Sequence, residues 1–333
     1  LPHPRPGQRL TRWPDEIHAL EELGARNLDA IEEAVARYSI DCDFERTGEI
    51  DVATEPYQAR ELKDWYGQLQ AKGLAEDMEY LDKDAVREQV ASPTFEAGLL
   101  DRRGVAMLHP AKLAWGLKRA CLSLGVRVYE HTPALTLKPY GAAMAVRTPY
   151  GQVRARRVAL GTNVFPSLVR RVRSYTVPVY DYALMTEPLT DGRWPRSAGR
   201  TARASATAPT SSTTSACPPT TGSCGAATTP STPTAAGCAP STTTARRPTP
   251  SSPALLHLLP AAGGRPLHPR LGRGDRHLLA LLGLLRHRAR GRVAYAAGYT
   301  GLGVGATRFG GEVMLDLLAG ERTERTELEM VRR

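Results

Sequence analysis

The stretch VAYAAGYTGLGVG at residues 293–305 decides the fold that the rest of the sequence is expected to adopt. Val293 to Ala297 are apolar and predict a short buried strand, and Gly298 to Gly305 predict a loop with four glycines. Apolar periodicity then predicts a helix from Phe309 to Leu318, which ends at Gly320. Such a strand, loop and helix bind phosphate when the loop N–H groups converge at a helix N-terminus, which favours anions.

A second interpretation of the same glycines stays open. The spacing differs from the dinucleotide-binding fingerprint, since Gly301-x-Gly303 is followed by Ala306, and no acidic residue lies about 20 positions on in the right context. Glycines in such a turn also allow a strand and a helix to pack closely. The loop is therefore either a cofactor contact or a packing turn.

Outside residues 195–290 the sequence is typical of a mixed α/β protein. Helices are predicted where apolar residues recur at helical spacing, and strands where short apolar runs are bounded by turns. The tail Glu321–Arg333 alternates in charge and predicts a solvated terminus. The predicted helices include 17–35, 56–71 and 110–124, and the predicted strands include 49–53, 126–129, 158–162 and 176–186.

The segment 195–290 differs from the rest of the chain in composition. It contains no Phe, Tyr, Trp, Ile, Val, Met, Glu, Lys, Asn or Gln, and it consists largely of Thr, Ala, Pro, Ser, Gly, Leu and Arg. Without large apolar residues, its first part buries too little surface to offset the entropy of ordering. Residues 195–253 are therefore predicted to be irregular, with helix expected at most near 255–259 or 278–285.

The charge of the chain also lies in this segment. The 333 residues carry a formal net charge of +10, but residues 195–290 alone carry +11 and the remainder carries −1. The excess consists of arginine without interleaved aromatic residues, which argues against a nucleic-acid partner. No apolar run is long enough for a membrane span, and no secretory leader is visible. The five cysteines show no metal-ligand spacing, so no metal is expected. The location of the protein is expected to be cytoplasmic.

Several stretches resemble FAD-dependent oxidoreductases of the D-amino-acid oxidase/glycine oxidase superfamily, in particular the branch with γ-glutamylputrescine oxidase-like enzymes. The similarity covers roughly residues 10–194 and 291–333 and is most specific at the C-terminal glycine loop. It is carried by residues 109–124, 126–137, 158–165 and 293–318 and by the tail.

The resemblance implies a partial FAD-binding domain and an antiparallel-sheet substrate domain in a mixed α/β chain. Residues 101–165 and 291–333 would belong to the FAD domain, and residues 1–100 and 166–194 to the substrate domain. The N-terminal G-x-G-x-x-G unit of the family is expected to be missing, since residue 1 already lies beyond it. By matching position, the cofactor contacts would be Ala134, Gly161, Thr162, Gly298, Tyr299, Gly301, Leu302, Gly303, Val304 and Gly305.

The activity that the resemblance implies is oxidation of the C–N bond of a small amine or amino acid, with FAD as cofactor and oxygen as acceptor. The protein then supplies positioning and electrostatics, while the flavin supplies the redox chemistry. No catalytic acid or base is identified, and the oligomeric state is left open. The alternative is an inactive fragment or pseudogene-like product of the family that binds no cofactor.

The resemblance also suggests an origin for the segment 195–290. Relatives carry the blocks N-Q-F-H-Y and R-I-L-W-G-G-Y-D in this region. GC-rich codons for these blocks, read from the second base, give the residues that stand at 210–214 and 222–229. A later family block, A-I-D-T-C-S-R-F, gives residues 275–281 at a different offset. The segment is therefore predicted to be translated out of frame, with shifts near Trp194, in the middle and near Arg290.

Sequencing of the coding DNA tests this prediction. We expect the alternate reading frames across codons 195–290 to encode the family blocks in their usual order. An alternate-frame translation that recovers none of these blocks would contradict the prediction.

Overall fold

The computed structural model describes residues 12–90, 92–163, 165, 167–173, 176–186, 204–207, 213–216, 224–227, 267–278, 284–299 and 303–332. It divides into two compact units. The first unit contains residues 1–42, 110–179 and 274–333, and the second contains residues 43–109 and 180–273.

Helices and strands alternate from residue 17 to residue 140, after which the strands and the C-terminal helices of the described part occur in runs. The helices are α1 (Ile17–Arg37), α2 (Pro56–Ala71), α3 (Lys83–Gln89), α4 (Pro110–Ser123), α5 (Arg170–Arg173), α6 (Gly303–Ala319), α7 (Glu324–Glu327) and α8 (Glu329–Arg332). The strands up to residue 186 are β1 (Glu49–Ala53), β2 (Met78–Leu81), β3 (Ala97–Asp101), β4 (Thr136–Tyr140), β5 (Ala143–Thr148), β6 (Gly151–Ala155), β7 (Val158–Leu160) and β8 (Thr176–Thr186). The later strands are β9 (Ala204–Thr207), β10 (Thr213–Ala216), β11 (Cys224–Ala227), β12 (Leu267–Leu278), β13 (Leu284–Arg288) and β14 (Val293–Ala297).

A three-stranded sheet in the order β13-β14-β7 forms the centre of the first unit. All five residues of β14 are buried, as the sequence predicts for an apolar strand. Alternate residues contact different cores, since successive side chains of a strand point to opposite faces. Val293, Tyr295 and Ala297 pack with Met144 of β5, whereas Ala296 packs against the helices α1 and α6. The strand is thus covered on both faces.

An eight-stranded sheet, in the order β12-β8-β11-β10-β9-β1-β3-β2, contributes most of its strands to the second unit. The helices α2 and α3 cover opposite faces at its β1-β3-β2 end. Ile50, Val52 and Leu100 form one buried cluster with Val86 of α3, and Ala53, Ala97 and Leu99 form another with Leu62 of α2. The start of α2 has Pro56 in its first turn and a capping box formed by Glu55 and Gln58, which satisfies free backbone donors.

The prediction that residues 195–253 are irregular is wrong at three places. The strands β9, β10 and β11 lie in this range, and β9 pairs in parallel with β1. Sheet hydrogen bonds are made by backbone groups, so short runs of Ala, Ser and Thr form them without large side chains. The sequence allows helix at most near 255–259, which lies outside the described residues, or near 278–285, where Leu278 ends β12 and Leu284 begins β13.

The prediction of a solvated tail is wrong as well. Leu328, Met330 and Val331 are buried in the same core as Trp13 and Phe309. The Arg286 guanidinium donates hydrogen bonds to the carbonyls of Leu285, Met330 and Val331, at 2.9, 2.9 and 3.0 Å. The tail was predicted to be solvated because its charged residues outnumber these three apolar residues, which are nevertheless buried together.

Two further expectations fail around α4. Residues 126–129 were predicted as a strand but form none, and Val126, Val128 and Tyr129 are exposed. Helical spacing predicts that Leu113, Leu117, Ala120, Cys121 and Leu124 share one apolar face. The structure buries Leu113 and Ala120, whereas Leu117 and Leu124 are exposed. A strand is stable only when a neighbouring strand pairs with it, and none of the described strands pairs with this segment.

The two units do not follow the predicted domain ranges at the N-terminus. The sequence groups residues 1–100 together, but residues up to Cys42 belong to the first unit and those from Asp43 to the second. The reason is that α1 packs against α6, as Leu20 and Leu23 share a core with Phe309 and Val313. The roles of the two units in binding FAD and substrate are not tested by this division.

Three carboxylates lie on one side of the β1–β3 pair. Glu49 is directly opposite Asp101 in the strand register, and Asp51 is two residues further on the same face. Burial, together with the charges of Asp51 and Asp101, raises the pKa of Glu49 to about 8. An ordinary glutamate in an unfolded chain ionises at about 4.3. The folded state therefore holds a proton that the unfolded state releases between these values.

This raised pKa predicts how Glu49→Gln changes the pH dependence of unfolding. When folding raises the pKa of a carboxyl group, the free energy of unfolding falls as the pH rises from the unfolded pKa to the folded pKa. A glutamine side chain resembles the protonated acid, so the variant should be more stable than the wild type by up to about 5 kcal/mol near pH 9, with the difference vanishing below about pH 4. Urea unfolding at a series of pH values measures this. Glu61→Gln, at an exposed position of α2, is the matched control; equal pH profiles for the two variants would contradict the prediction.

Candidate functional site

The parallel pairing of β7 with β14 brings two separate segments to one edge of the sheet. Val158 is opposite Val293, Ala159 opposite Ala294, and Leu160 opposite Tyr295. Because both strands run in the same direction, the residues that follow them emerge at the same edge. In open α/β sheets, ligands bind outside the carboxyl ends of parallel strands. The predicted contacts after β7 and after β14 therefore lie at one candidate site.

The segment after β14 leads directly into α6. Gly298 has a φ of +81°, a backbone conformation that favours glycine. The helix begins at Gly303, six residues before the predicted start at Phe309, so Gly303, Val304 and Gly305 form its first turn. The first N–H groups of a helix have no partner within it. Gly301 and Leu302, also predicted as contacts, lie outside the described residues.

The glycines of this region serve two different purposes. A methyl group added at Gly161 or Gly305 would meet no heavy atom within 4 Å, so neither residue is required for close packing. A methyl group added at Gly310 would lie 2.4 Å from the Tyr299 hydroxyl oxygen. Gly310 therefore packs closely against Tyr299, whereas Gly161 and Gly305 leave space around them.

The Tyr299 side chain is part of the hydrophobic core. It is buried with Ala296, Ala306 and Phe309, and burial raises the pKa of its hydroxyl to about 12. The phenol stays neutral at physiological pH and packs α6 on the sheet. Any contact of Tyr299 with a cofactor would be made by its backbone.

Asn163 is a site residue that sequence analysis missed. It comes two residues after Gly161, with Thr162 between them, and its φ of +38° is uncommon for a residue other than glycine. Its Oδ1 atom is buried and accepts no hydrogen bond from any part of the chain that the structure describes. Buried acceptors are almost always satisfied, so an exception needs an explanation such as a ligand. The available signal was an Asn directly after a Gly turn at a strand end, since Asn tolerates this backbone region.

Asn27 is a second residue that sequence analysis missed. It lies on the buried face of α1, and its Nδ2 donates a hydrogen bond to the Gly305 carbonyl at 3.0 Å. Its Oδ1 is also buried without a partner among the described residues. A polar residue on an otherwise apolar helix face was the only sequence signal.

The opposite end of α6 is held by the tail. The Asp316 carboxylate is buried and accepts hydrogen bonds from Thr323 Oγ1 at 2.7 Å and from Arg325 Nε at 2.9 Å. The hydrogen bond to Asp316 is the main reason why the pKa of Arg325 is raised. A buried carboxylate with a bidentate arginine is costly to disrupt, so these contacts fix the helix that begins at the candidate site.

Ala134 lies away from the glycine turn in sequence and structure. It is exposed and precedes β4, which belongs to the separate sheet β4-β5-β6. No described contact joins it to the segments after β7 and β14. The structure thus brings together Gly161, Thr162, Gly298 and the first turn of α6, and it leaves the role of Ala134 untested.

The described part of the chain contains neither a metal-binding cluster nor a membrane-spanning helix. Within it, no three His, Cys, Asp or Glu side chains are grouped so that they could hold a metal ion. None of its helices is long and apolar enough to cross a membrane.

Comparison with known proteins identifies the class of this fold. The sequence matches the family model described as FAD dependent oxidoreductase (DAO) over residues 4–317. The chain therefore belongs to this family, whose members use FAD.

Individual relatives agree with this assignment. "Gamma-glutamylputrescine oxidoreductase" of Escherichia coli is 34% identical over 169 residues, which are 49% of this chain and 38% of that protein. "Probable oxidoreductase OrdL" of Haemophilus influenzae is 26% identical over 180 residues, covering 53% of this chain and 41% of that one. The matched regions thus span about two-fifths of these curated relatives.

Solved structures share the fold at lower identity. Glycine oxidase from Geobacillus kaustophilus superposes with a TM-score of 0.72 at 19% identity, covering 90% of this chain and 78% of that one. L-proline dehydrogenase from P. horikoshii gives a TM-score of 0.72 at 14% identity, covering 94% and 82%. The expected mixed α/β fold with antiparallel sheets is confirmed.

The residues at the edge fit part of an FAD molecule. The first-turn N–H groups of α6 suit the diphosphate, since a helix N-terminus favours anions. The open space at Gly161 and Gly305 leaves room for close approach of a ligand. The unpaired Oδ1 of Asn163 is an acceptor suited to a ligand hydroxyl.

The division of roles among the glycines predicts opposite effects for two adjacent substitutions in α6. Gly311→Ala should stabilise the protein by about 0.5–1 kcal/mol, because alanine favours the helix and the added methyl group meets open space. Gly310→Ala should destabilise it by about 1–3 kcal/mol, because the methyl group overlaps the Tyr299 hydroxyl.

Thermal and urea unfolding of the two variants measure these effects. Adding Tyr299→Phe to Gly310→Ala should recover most of the loss, since it removes the overlapping oxygen. Equal stabilities of the Gly310→Ala and Gly311→Ala variants would contradict the assignment of Gly310 to packing.

Proposed function

We propose that the edge formed after β7 and β14 binds the flavin ring and phosphates of FAD, and that the protein oxidises the C–N bond of an amine or amino acid with oxygen as the acceptor. One observation supports the binding site above all others. The first turn of α6, whose first N–H groups have no partner within the helix, follows β14 at the edge where Asn163 follows the parallel strand β7. A methyl group at Gly305 would meet no heavy atom within 4 Å, and the buried Oδ1 of Asn163 has no partner in the described part of the chain.

The proposed contacts are made mostly by backbone. Gly303, Val304 and Gly305 would line the flavin ring and phosphates, and Gly298 would allow the chain to turn from β14 towards them. Gly161 and Thr162 would lie beside the ribose or diphosphate, and the part of the cofactor near Ala134 would be its adenine end. Gly301 and Leu302 complete the proposed set. Bound flavin would supply the hydride acceptor, and these residues would orient it and exclude water.

The substrate class follows from the relatives. The names of a gamma-glutamylputrescine oxidoreductase, a glycine oxidase and an L-proline dehydrogenase describe oxidation of small amines or amino acids. We extend this class to the present chain, with the first unit as the flavin-binding part and the second as the substrate-binding part. A cytoplasmic location belongs to the same proposal.

The binding site is tested by Gly305→Glu, with Gly311→Glu as the matched control. Both changes replace glycine with a better helix former, and a carboxylate in the first turn also favours the helix dipole. At position 305 the carboxylate would occupy the open space and repel the diphosphate. We expect the FAD dissociation constant to rise at least about tenfold for Gly305→Glu, a loss of about 1.4 kcal/mol.

Flavin fluorescence quenching gives the dissociation constants, and thermal unfolding of the FAD-free variants shows that both remain folded. Equal FAD affinity in the two variants would reject this site. A wild-type protein that binds no FAD would reject the proposal and would support an inactive member of the family. The reaction itself is measured as oxygen consumption and peroxide formation with small amines and amino acids.

A further inference from the structure

The Asn27 carboxamide has features that folding alone does not explain. It is only 6% exposed, on a helix face that it shares with Leu20, Leu23 and Ile31. Its one described hydrogen bond joins α1 to the first turn of α6, from Nδ2 to the Gly305 carbonyl at 3.0 Å. Its Oδ1 is buried and has no partner in the described part of the chain.

The energetic contributions of this side chain to folding nearly cancel or are unfavourable. A neutral hydrogen bond contributes about 0.5–1.5 kcal/mol net, whereas an unsatisfied buried acceptor costs about 1–3 kcal/mol. Asparagine is also a weaker helix former than alanine or leucine, by up to about 0.7 kcal/mol. An apolar residue at position 27 would therefore serve the fold equally well or better.

The contact with Gly305 suggests a different purpose. The first turn of α6 contains Gly303 and Gly305, whose backbones have more conformational freedom than those of other residues. A flexible turn pays an ordering cost when it binds a ligand, and fixing it beforehand lowers that cost. Hydrogen bonding of the Gly305 carbonyl to a rigid, buried helix restricts this turn from outside α6.

We propose that Asn27 is a positioning residue for the cofactor-binding turn: its Nδ2 holds the Gly305 carbonyl so that the first-turn N–H groups of α6 are preorganised for the diphosphate of FAD. This inference rests on the proposed function, because it assumes that FAD binds at this turn. It adds that a residue of α1, remote in sequence from the glycine loop, contributes to affinity through the conformation of that loop.

The test replaces Asn27 with two apolar residues that differ in volume. Asn27→Ala risks a cavity but no steric overlap, and Asn27→Leu risks steric overlap but no cavity. A change that both variants share is therefore not a packing defect of one of them. Ile31→Val is the matched control, because Ile31 is buried one turn away on the same helix and has no polar contact.

Two quantities are measured for each variant. The first is the thermal midpoint of unfolding without FAD, and the second is the FAD dissociation constant from fluorescence quenching. The circular dichroism of bound flavin reports on the environment of the cofactor. We expect at least one Asn27 variant to keep or raise the wild-type midpoint, while both raise the dissociation constant about five- to tenfold. Ile31→Val should lower the midpoint slightly and leave the dissociation constant within about twofold.

The outcomes separate the two proposals. If the wild type binds FAD and the Asn27 variants bind it equally well, the positioning role is rejected and the proposed function stands. If both Asn27 variants lose midpoint and affinity in parallel, as a general weakening of α1 would cause, the positioning role is also rejected. If the wild type binds no FAD, the proposed function fails and the positioning role fails with it.

Discussion

The parallel pairing of β7 with β14 is the constraint on which the rest of the first unit depends. Parallel neighbours cannot be joined by a short hairpin, so the two strands are far apart in the chain and a long stretch of sequence lies between them. Their pairing has two consequences. It produces a sheet that must be covered on both faces, by α1 and α6 on one side and by β5 on the other. It also brings Gly161 and Gly298 to the same edge, where neither segment alone would form a site.

Helix α6 separates stability from binding along its length. Its middle and end are held by apolar packing, by the contact of Gly310 with Tyr299, and by the hydrogen bonds of Asp316 with Thr323 and Arg325. Its first turn is held from outside the helix by the hydrogen bond of Asn27 Nδ2 to the Gly305 carbonyl. The first N–H groups of a helix have no partner within it, so the proposed binding turn can offer them while both ends of α6 stay fixed.

The sequence correctly predicts those elements whose secondary structure is determined by the local residue pattern alone. The apolar run 293–297 and the helical periodicity of 17–35 have one consistent interpretation, and the structure confirms both. The tail failed because its three apolar residues are outnumbered by charges, and only the core around Phe309 shows which face is buried. The sequence also did not single out Asn27 and Asn163, because only the folded structure shows that their Oδ1 atoms are buried without a partner in the described part of the chain.

The segment 195–290 shows what a sheet requires from its sequence. The strands β9, β10 and β11 consist only of Ala, Ser, Thr, Cys and Gly, yet they pair in regular register through their backbones. Such residues carry little apolar area, and burial stabilises by about 25 cal/mol per Å² of that area. The described buried clusters of this sheet lie at its other end, where β1, β2 and β3 pack against α2 and α3. The positive charge of the chain arises in the same segment, since residues 195–290 carry +11 and the remainder carries −1.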